Sequence, residues 1–140
     1  MVHALKEIVR VVVPGGALID LRPLCDRWPV EVAWSDGFLE AGRVTDLEES
    51  LAADRAANKA TFDADASGVL HRERDEYFPF FYYWDTAKEM QDYIAQNWED
   101  VISVEDDVWA KLRSLWTTAN ADARARLRMK MLITRYRVRE

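Results

Sequence analysis

One cysteine, two histidines, five glycines and four prolines are all that 140 residues contain of these types. A lone Cys25 cannot close an internal disulfide, so the chain is not a disulfide-stapled module, and a reducing cytoplasm is the expected compartment. His3 and His71 are too few and too scattered for a metal centre. No C-x-x-C, H-E-x-x-H or P-loop occurs, so no metal ligands are expected. No run approaches the roughly 18 apolar residues of a membrane span. Lys6, Glu7 and Arg10 interrupt the apolar N-terminus, which is not the core of a signal peptide. Repeats and low-complexity segments are also absent.

Hydrophobic residues make up 49% of the chain and charged residues 31%, which excludes a mainly disordered protein. The length fits one domain over residues 1–140. Nineteen Lys and Arg against 25 Asp and Glu give a net charge of −6. Residues 124–140 hold six Arg, one Lys and one Glu, a local +6, so the other residues carry −12. The acidic body would repel a polyanion, and Arg124, Arg126, Arg128 and Lys130 alternate with Ala125, Leu127, Met129 and Met131. Period-2 alternation marks a half-buried strand, so the basic residues are expected on a solvated or acid-paired face, with no nucleic-acid partner.

Hydrophobic periodicity lays out the elements. Leu5, Ile8, Val9 and Val12 form one stripe of a helix over 2–12, which Pro14-Gly15-Gly16 stops. Residues 17–21 are almost wholly apolar and suit a strand covered on both faces, ended by Pro23. Residues 29–45 alternate around Asp36-Gly37, a strong hairpin signal. Asp46 with Glu49 forms a capping box opening a surface helix over about 47–64. Beyond Gly68, residues 69–84 are extended. Tyr77, Phe78, Phe80, Phe81, Tyr82, Tyr83 and Trp84 would fill both faces of that strand, with Pro79 at a bulge or an unpaired edge. Thr86 and Glu89 form a second capping box for a helix presenting Met90, Tyr93, Ile94 and Trp98. Ser103 opens another, with Val108, Leu112, Leu115 and Trp116 at helical spacing. Residues 125–138 are the last strand, with a bulge or two-sided burial expected after Leu132.

The segment Leu5-Lys6-Glu7-Ile8-Val9-Arg10-Val11-Val12-Val13-Pro14-Gly15-Gly16-Ala17-Leu18-Ile19 resembles class I S-adenosylmethionine-dependent methyltransferases. There a helix ending in an L-x-E-x-x-R-V-L-x-P-G-G pattern leads into the fifth strand of the sheet. Val13 stands where that family often has Lys or Arg. The resemblance implies a closing pair of antiparallel strands, here 77–84 and 125–138, with helices 86–98 and 104–119 between them. The hairpin and the helix over 47–64 would be an insertion after the fifth strand.

The family's cofactor lies in the first half of its fold, on a Gly-rich turn after the first strand and an acidic residue ending the second. Gly15, Gly16, Gly37, Gly42 and Gly68 form neither G-x-G-x-x-G nor G-x-G-x-G. The chain thus looks like only the C-terminal half, with no cofactor bound by this chain alone and S-adenosylmethionine only if a first half is supplied.

The expected fold is α/β, or an α+β-like fragment: a partial methyltransferase-type sheet with an inserted hairpin and flanking helices. The expected function is binding or assembly by a half-fold inactive alone, or that of a truncated methyltransferase. The alternative is a small α+β ligand- or protein-binding module with an aromatic pocket. No catalytic residue can be assigned. Arg22 and Arg27 follow the strand 17–21 at its C-terminal end, where open parallel sheets bind ligands. With Trp28, Tyr82 and Trp84 they are the candidate substrate-binding residues. Cys25 and His71 would make a nucleophile pair only if the fold joined them, and an idle thiol is the expectation. The unfilled strand edge implies a homodimer through residues 2–21 or the 29–45 hairpin, or a partner supplying the missing half.

Overall fold

A computed structural model of the chain describes residues 2–139. The helices are α1 (Val2–Val11), α2 (Glu48–Ala66), α3 (Ala87–Asn97) and α4 (Asp106–Trp116). The strands are β1 (Ala17–Pro23), β2 (Pro29–Trp34), β3 (Gly37–Arg43), β4 (Thr45–Asp46), β5 (Leu70–Trp84), β6 (Ile102–Ser103) and β7 (Arg124–Val138). The fold is α+β, with antiparallel sheet. The chain divides into two compact units. The first holds the described residues up to Leu24, Ala52–Phe78 and the described residues from Met131; the second holds Cys25–Leu51 and Pro79–Lys130. β5 and β7 each contribute residues to both.

In the first unit α1 ends where the sequence requires. Gly15 takes φ 77°, a left-handed value that favours glycine. A Cβ on Gly16 would lie 2.5 Å from Val12 Cγ1. The turn is tied to the last strand: Gly15 N–H donates to the Val138 carbonyl at 2.9 Å, and Val138 N–H to the Gly16 carbonyl at 2.9 Å. β1 then runs antiparallel to β7, from Ala17 opposite Arg137 to Pro23 opposite Met131. Leu18 on β1 packs with Leu5 and Val9 of α1, Val12 just beyond it and Ala64 of α2 around Leu70, Tyr136 and Val138. β1 is not covered on both faces as its apolar run suggests. Its burial alternates, leaving Ile19 53% and Leu21 56% exposed. α2 runs past the expected end to Ala66 and stops at Gly68, φ 76°. Its buried residues are the small Ala57, Ala60 and Thr61, whereas Phe62 is exposed.

In the second unit β2 pairs with β3 and, from Val30 opposite Leu127, with β7. Trp34 faces Gly37, so the hairpin loop is Ser35-Asp36, one residue before the expected pair. A Cβ on Gly42 would meet Val108 Cγ2 at 2.7 Å, so the small residue lets α4 lie close to β3. Val30, Val32, Met90, Ile94, Val108, Trp109, Leu112, Ala125 and Leu127 belong to one buried cluster. The α3 capping box is present: Glu89 N–H donates to Thr86 Oγ1 at 3.1 Å, and Thr86 N–H to Glu89 Oε2 at 3.3 Å. The other two expected starts differ. Asp46 sits in β4 and accepts from Arg27 N–H at 3.0 Å. Ser103 lies in β6, and α4 begins at Asp106 after an N-cap Glu105 that makes no side-chain cap bond.

β7 shows neither the bulge nor the two-sided burial expected after Leu132: its register against β1 is unbroken there and its burial alternates. Ala125, Leu127 and Met129 are buried in the second unit; Leu132, Thr134, Tyr136 and Val138 are buried in the first. Each unit draws on residues of one parity, and parity changes between Met129 and Leu132.

Candidate functional site

The unclaimed features of the first unit are an edge, a cleft and a charged cluster. The Val138 N–H to Gly16 carbonyl bond turns the backbone groups of the even residues of β1 toward β7. Alternation then directs the N–H and C=O of Ala17, Ile19 and Leu21 away from it. β1 has β7 as its sole strand neighbour among the described residues. Pro23, which has no N–H, falls on the same outward side, where no ladder bond is lost. Arg22 does not face a ligand space. Its Nη2 donates to Asn58 Oδ1 of α2 at 2.8 Å, and its Nε lies 3.1 Å from Asp20 Oδ2. Arg22 is thus engaged with α2. A cleft of about 490 Å³ is lined by Leu5 and Val9 of α1 and Ala60 and Ala64 of α2, with Lys6 and Asp63 among its polar residues. Glu73 meets Arg135 at 2.9 Å and Arg137 at 2.5 Å. The hydrogen bond from Arg137 holds its carboxyl below the usual carboxylate range.

The second unit holds the other four candidates. Arg27 adopts φ 46°, its N–H bonded to Asp46 and its carbonyl accepting from Arg43 Nη1 at 3.4 Å. Trp28 is a core residue, 4% exposed. Tyr82 and Trp84 stack at 5.9 Å between ring centroids, with Tyr93 and Trp98 packed edge-on or tilted around them. Tyr82 and Trp84 are therefore brought together, as partly buried packing against the core. The rest of the aromatic run departs from the expected burial on both faces. Phe80 and Tyr83, like Tyr77 and Phe78 in the first unit, are exposed on an edge strand.

Sequence reasoning missed one constellation. Glu31, fully buried, accepts from Arg126 Nε at 2.6 Å on Oε2 and from Arg128 Nε at 3.0 Å on Oε1. The Arg126 guanidinium lies 4.7 Å from the ring centres of both Phe38 and Phe81. A carboxylate taken out of water must be paired, and two guanidinium groups do this with both oxygens. The signal was a lone Glu between Val30 and Val32. The basic residues are acid-paired as expected: Arg124 with Asp85, Lys130 with Asp26. Asp122 accepts from Ser35 N–H at 3.0 Å, which holds its carboxyl below the usual range.

Cys25 Sγ lies 3.0 Å from Ser50 Oγ, and His71 Nδ1 lies 3.4 Å from Arg139 Nη2. The described residues contain no group of His, Cys, Asp and Glu able to hold a metal ion. No described helix is long and apolar enough to cross a membrane. No family model, curated protein or solved structure matches the chain.

Proposed function

We propose that the chain is the C-terminal half of a class I methyltransferase-type fold, acting in binding or assembly unless a first half is supplied. The observation that carries this is the order β1–β7–β5 in the first unit. An amphipathic helix and a Pro-Gly-Gly turn feed β1, β7 lies antiparallel beside it, and β5 also pairs with β7. The connection from β1 to β5 runs through β2, β3, β4 and then α2. In the resembled family the fifth strand pairs with the last strand on one side and with the fourth on the other. β1 keeps that second side open.

S-adenosylmethionine would supply the methyl group to a complete enzyme, but the glycine pair of this chain does not fit a cofactor loop. Gly15 N–H is bonded to Val138 and Gly16 N–H to Val13, so neither is left to approach a ligand. Calorimetric titration of the isolated chain is therefore expected to give a dissociation constant no better than about millimolar, since a nucleotide site needs that Gly-rich turn and a ribose-binding acid. Micromolar affinity would overturn the half-fold reading. The exposed rings of Phe38, Phe80 and Tyr83 favour a second reading, an α+β module binding a small ligand or a protein.

A further inference from the structure

We infer that β1 pairs with β1 of a second copy, antiparallel and centred on Ile19, to form a two-fold dimer. The inference deepens the proposal above, resting on β1 as a strand with one unfilled side. Three observations specify the partner.

The first is the backbone. A two-fold axis perpendicular to a sheet pairs residues of like parity, so the outward-pointing Ala17, Ile19 and Leu21 can meet the same three residues of another copy. Centring on Ile19 sets it opposite its own counterpart and Ala17 opposite Leu21, which closes about six N–H to carbonyl bonds. Pro23, unable to donate, lies beyond the paired window. Centring on Leu21 would draw Pro23 into the ladder and lose a bond at each end.

The second is the side chains. The uncovered face of β1 carries Ala17, Ile19 and Leu21, with Ile19 53% and Leu21 56% exposed. Self-pairing about Ile19 joins these into one apolar row across both copies, and residues directly opposite one another stabilise a sheet.

The third is charge. Centring on Asp20 would keep the hydrogen bonds but set two carboxylates face to face. Centring on Ile19 places Asp20 opposite Leu18 of the other copy. Asp20 and Arg22 then keep the ion pair they already make at 3.1 Å. Edges left open in natural sheets carry lysine, proline or a covering element, and the outward residues 17–21 carry none of these.

Light scattering on the full chain tests the state, from about 1 to about 100 μM because a homodimer follows mass action. The expected mass is twice the 16.3 kDa of one chain. A monomer throughout this range overturns the proposal, as does a dimer that persists with Ile19→Lys, which sets two ammonium groups opposite each other.

Cross-linking in a Cys25→Ser background carries the test if Ile19→Lys does not fold. Under mild oxidation Ile19→Cys is expected to give a covalent dimer, because directly opposed Cα atoms lie about 5.5 Å apart. Leu21→Cys is expected to give none, its counterpart being four residues away, about 13 Å. The reverse pattern, or no linkage by either, overturns the register. A monomer that fails to bind S-adenosylmethionine overturns this inference alone; a dimer that binds it with micromolar affinity overturns the half-fold reading alone.

Discussion

Replacing Glu31 by Gln keeps the shape of the side chain and removes the one negative charge between Arg126 and Arg128. Glu31 is 0% exposed, and the side chains of Arg126 and Arg128 are 12% and 36% exposed. Breaking a buried ion pair on one side costs about 3–5 kcal/mol, because it leaves an uncompensated charge in a poorly solvated place. Water reaches Arg128 and screens part of that, so the low end, about 3 kcal/mol, is the expectation here. Arg126→Ala should cost a similar amount. It strips one carboxylate oxygen of its partner and the contacts with Phe38, Phe81 and, at 6.0 Å, Tyr83, worth about 0.5–1 kcal/mol each at most. Arg128→Ala should cost about 1 kcal/mol, its guanidinium being the more exposed.

Urea unfolding followed by tryptophan fluorescence reads this directly. Trp28, Trp34, Trp84, Trp98, Trp109 and Trp116 all lie in the second unit, so emission reports the unit that holds Glu31. At a slope of about 1.5 kcal/mol per M, a loss of 3 kcal/mol lowers the midpoint by about 2 M. A loss below about 1 kcal/mol for Glu31→Gln, or Arg128→Ala costing more than Arg126→Ala, would refute the argument.

Three further outcomes follow from the geometry. Leu112→Ala, at a position with 0% exposure, should cost about 3–5 kcal/mol in the same melts, and a loss under about 1 kcal/mol would remove α4 from the core. Arg137→Gln should raise the titration midpoint of Glu73 toward the ordinary carboxylate range, read by NMR of the side-chain carboxyl. The lowered pKa means that the stabilising contribution of Glu73 is present above its unfolded titration range and is lost as pH falls through the folded value, so near neutral pH its charge is unchanged; an unmoved midpoint would refute the Arg137 assignment. The chain should not be retained on immobilised DNA, and Arg126→Ser with Arg128→Ser should leave this unchanged, because those guanidinium groups are already spent on Glu31; salt-dependent retention of the parent protein would contradict it.

The local signals in the sequence were strongest where one residue type has one physical use. Gly15 and Gly68 take the left-handed backbone that ends α1 and α2, and Thr86 with Glu89 forms its reciprocal cap. The hairpin was legible within one residue. Asp46 and Ser103 misled because cap-type side chains serve other bonds equally well, and each sits in a short strand instead. Exposure was the harder quantity. The apolar run of β1 and the aromatics of β5 have the composition of covered strands, yet composition does not say whether a covering layer follows in the same chain. The Glu31 cluster depends on pairs 95 and 97 residues apart, which no local pattern encodes.

β7 follows every other element in chain order, yet both units need it. β1 pairs with its Met131–Arg137 stretch and β2 with its Arg124–Leu127 stretch. Among the described strands β1 is made before the others and waits longest for β7, and the contact between Gly15 and Arg137 spans 122 positions. Closing loops of that length before any pairing is gained slows folding. Until β7 leaves the ribosome, β1 has two open sides instead of one, and its Leu18, Ile19 and Leu21 are available to any strand or chaperone nearby. The nascent chain should consequently be most prone to aggregation just before its last fifteen-residue strand emerges.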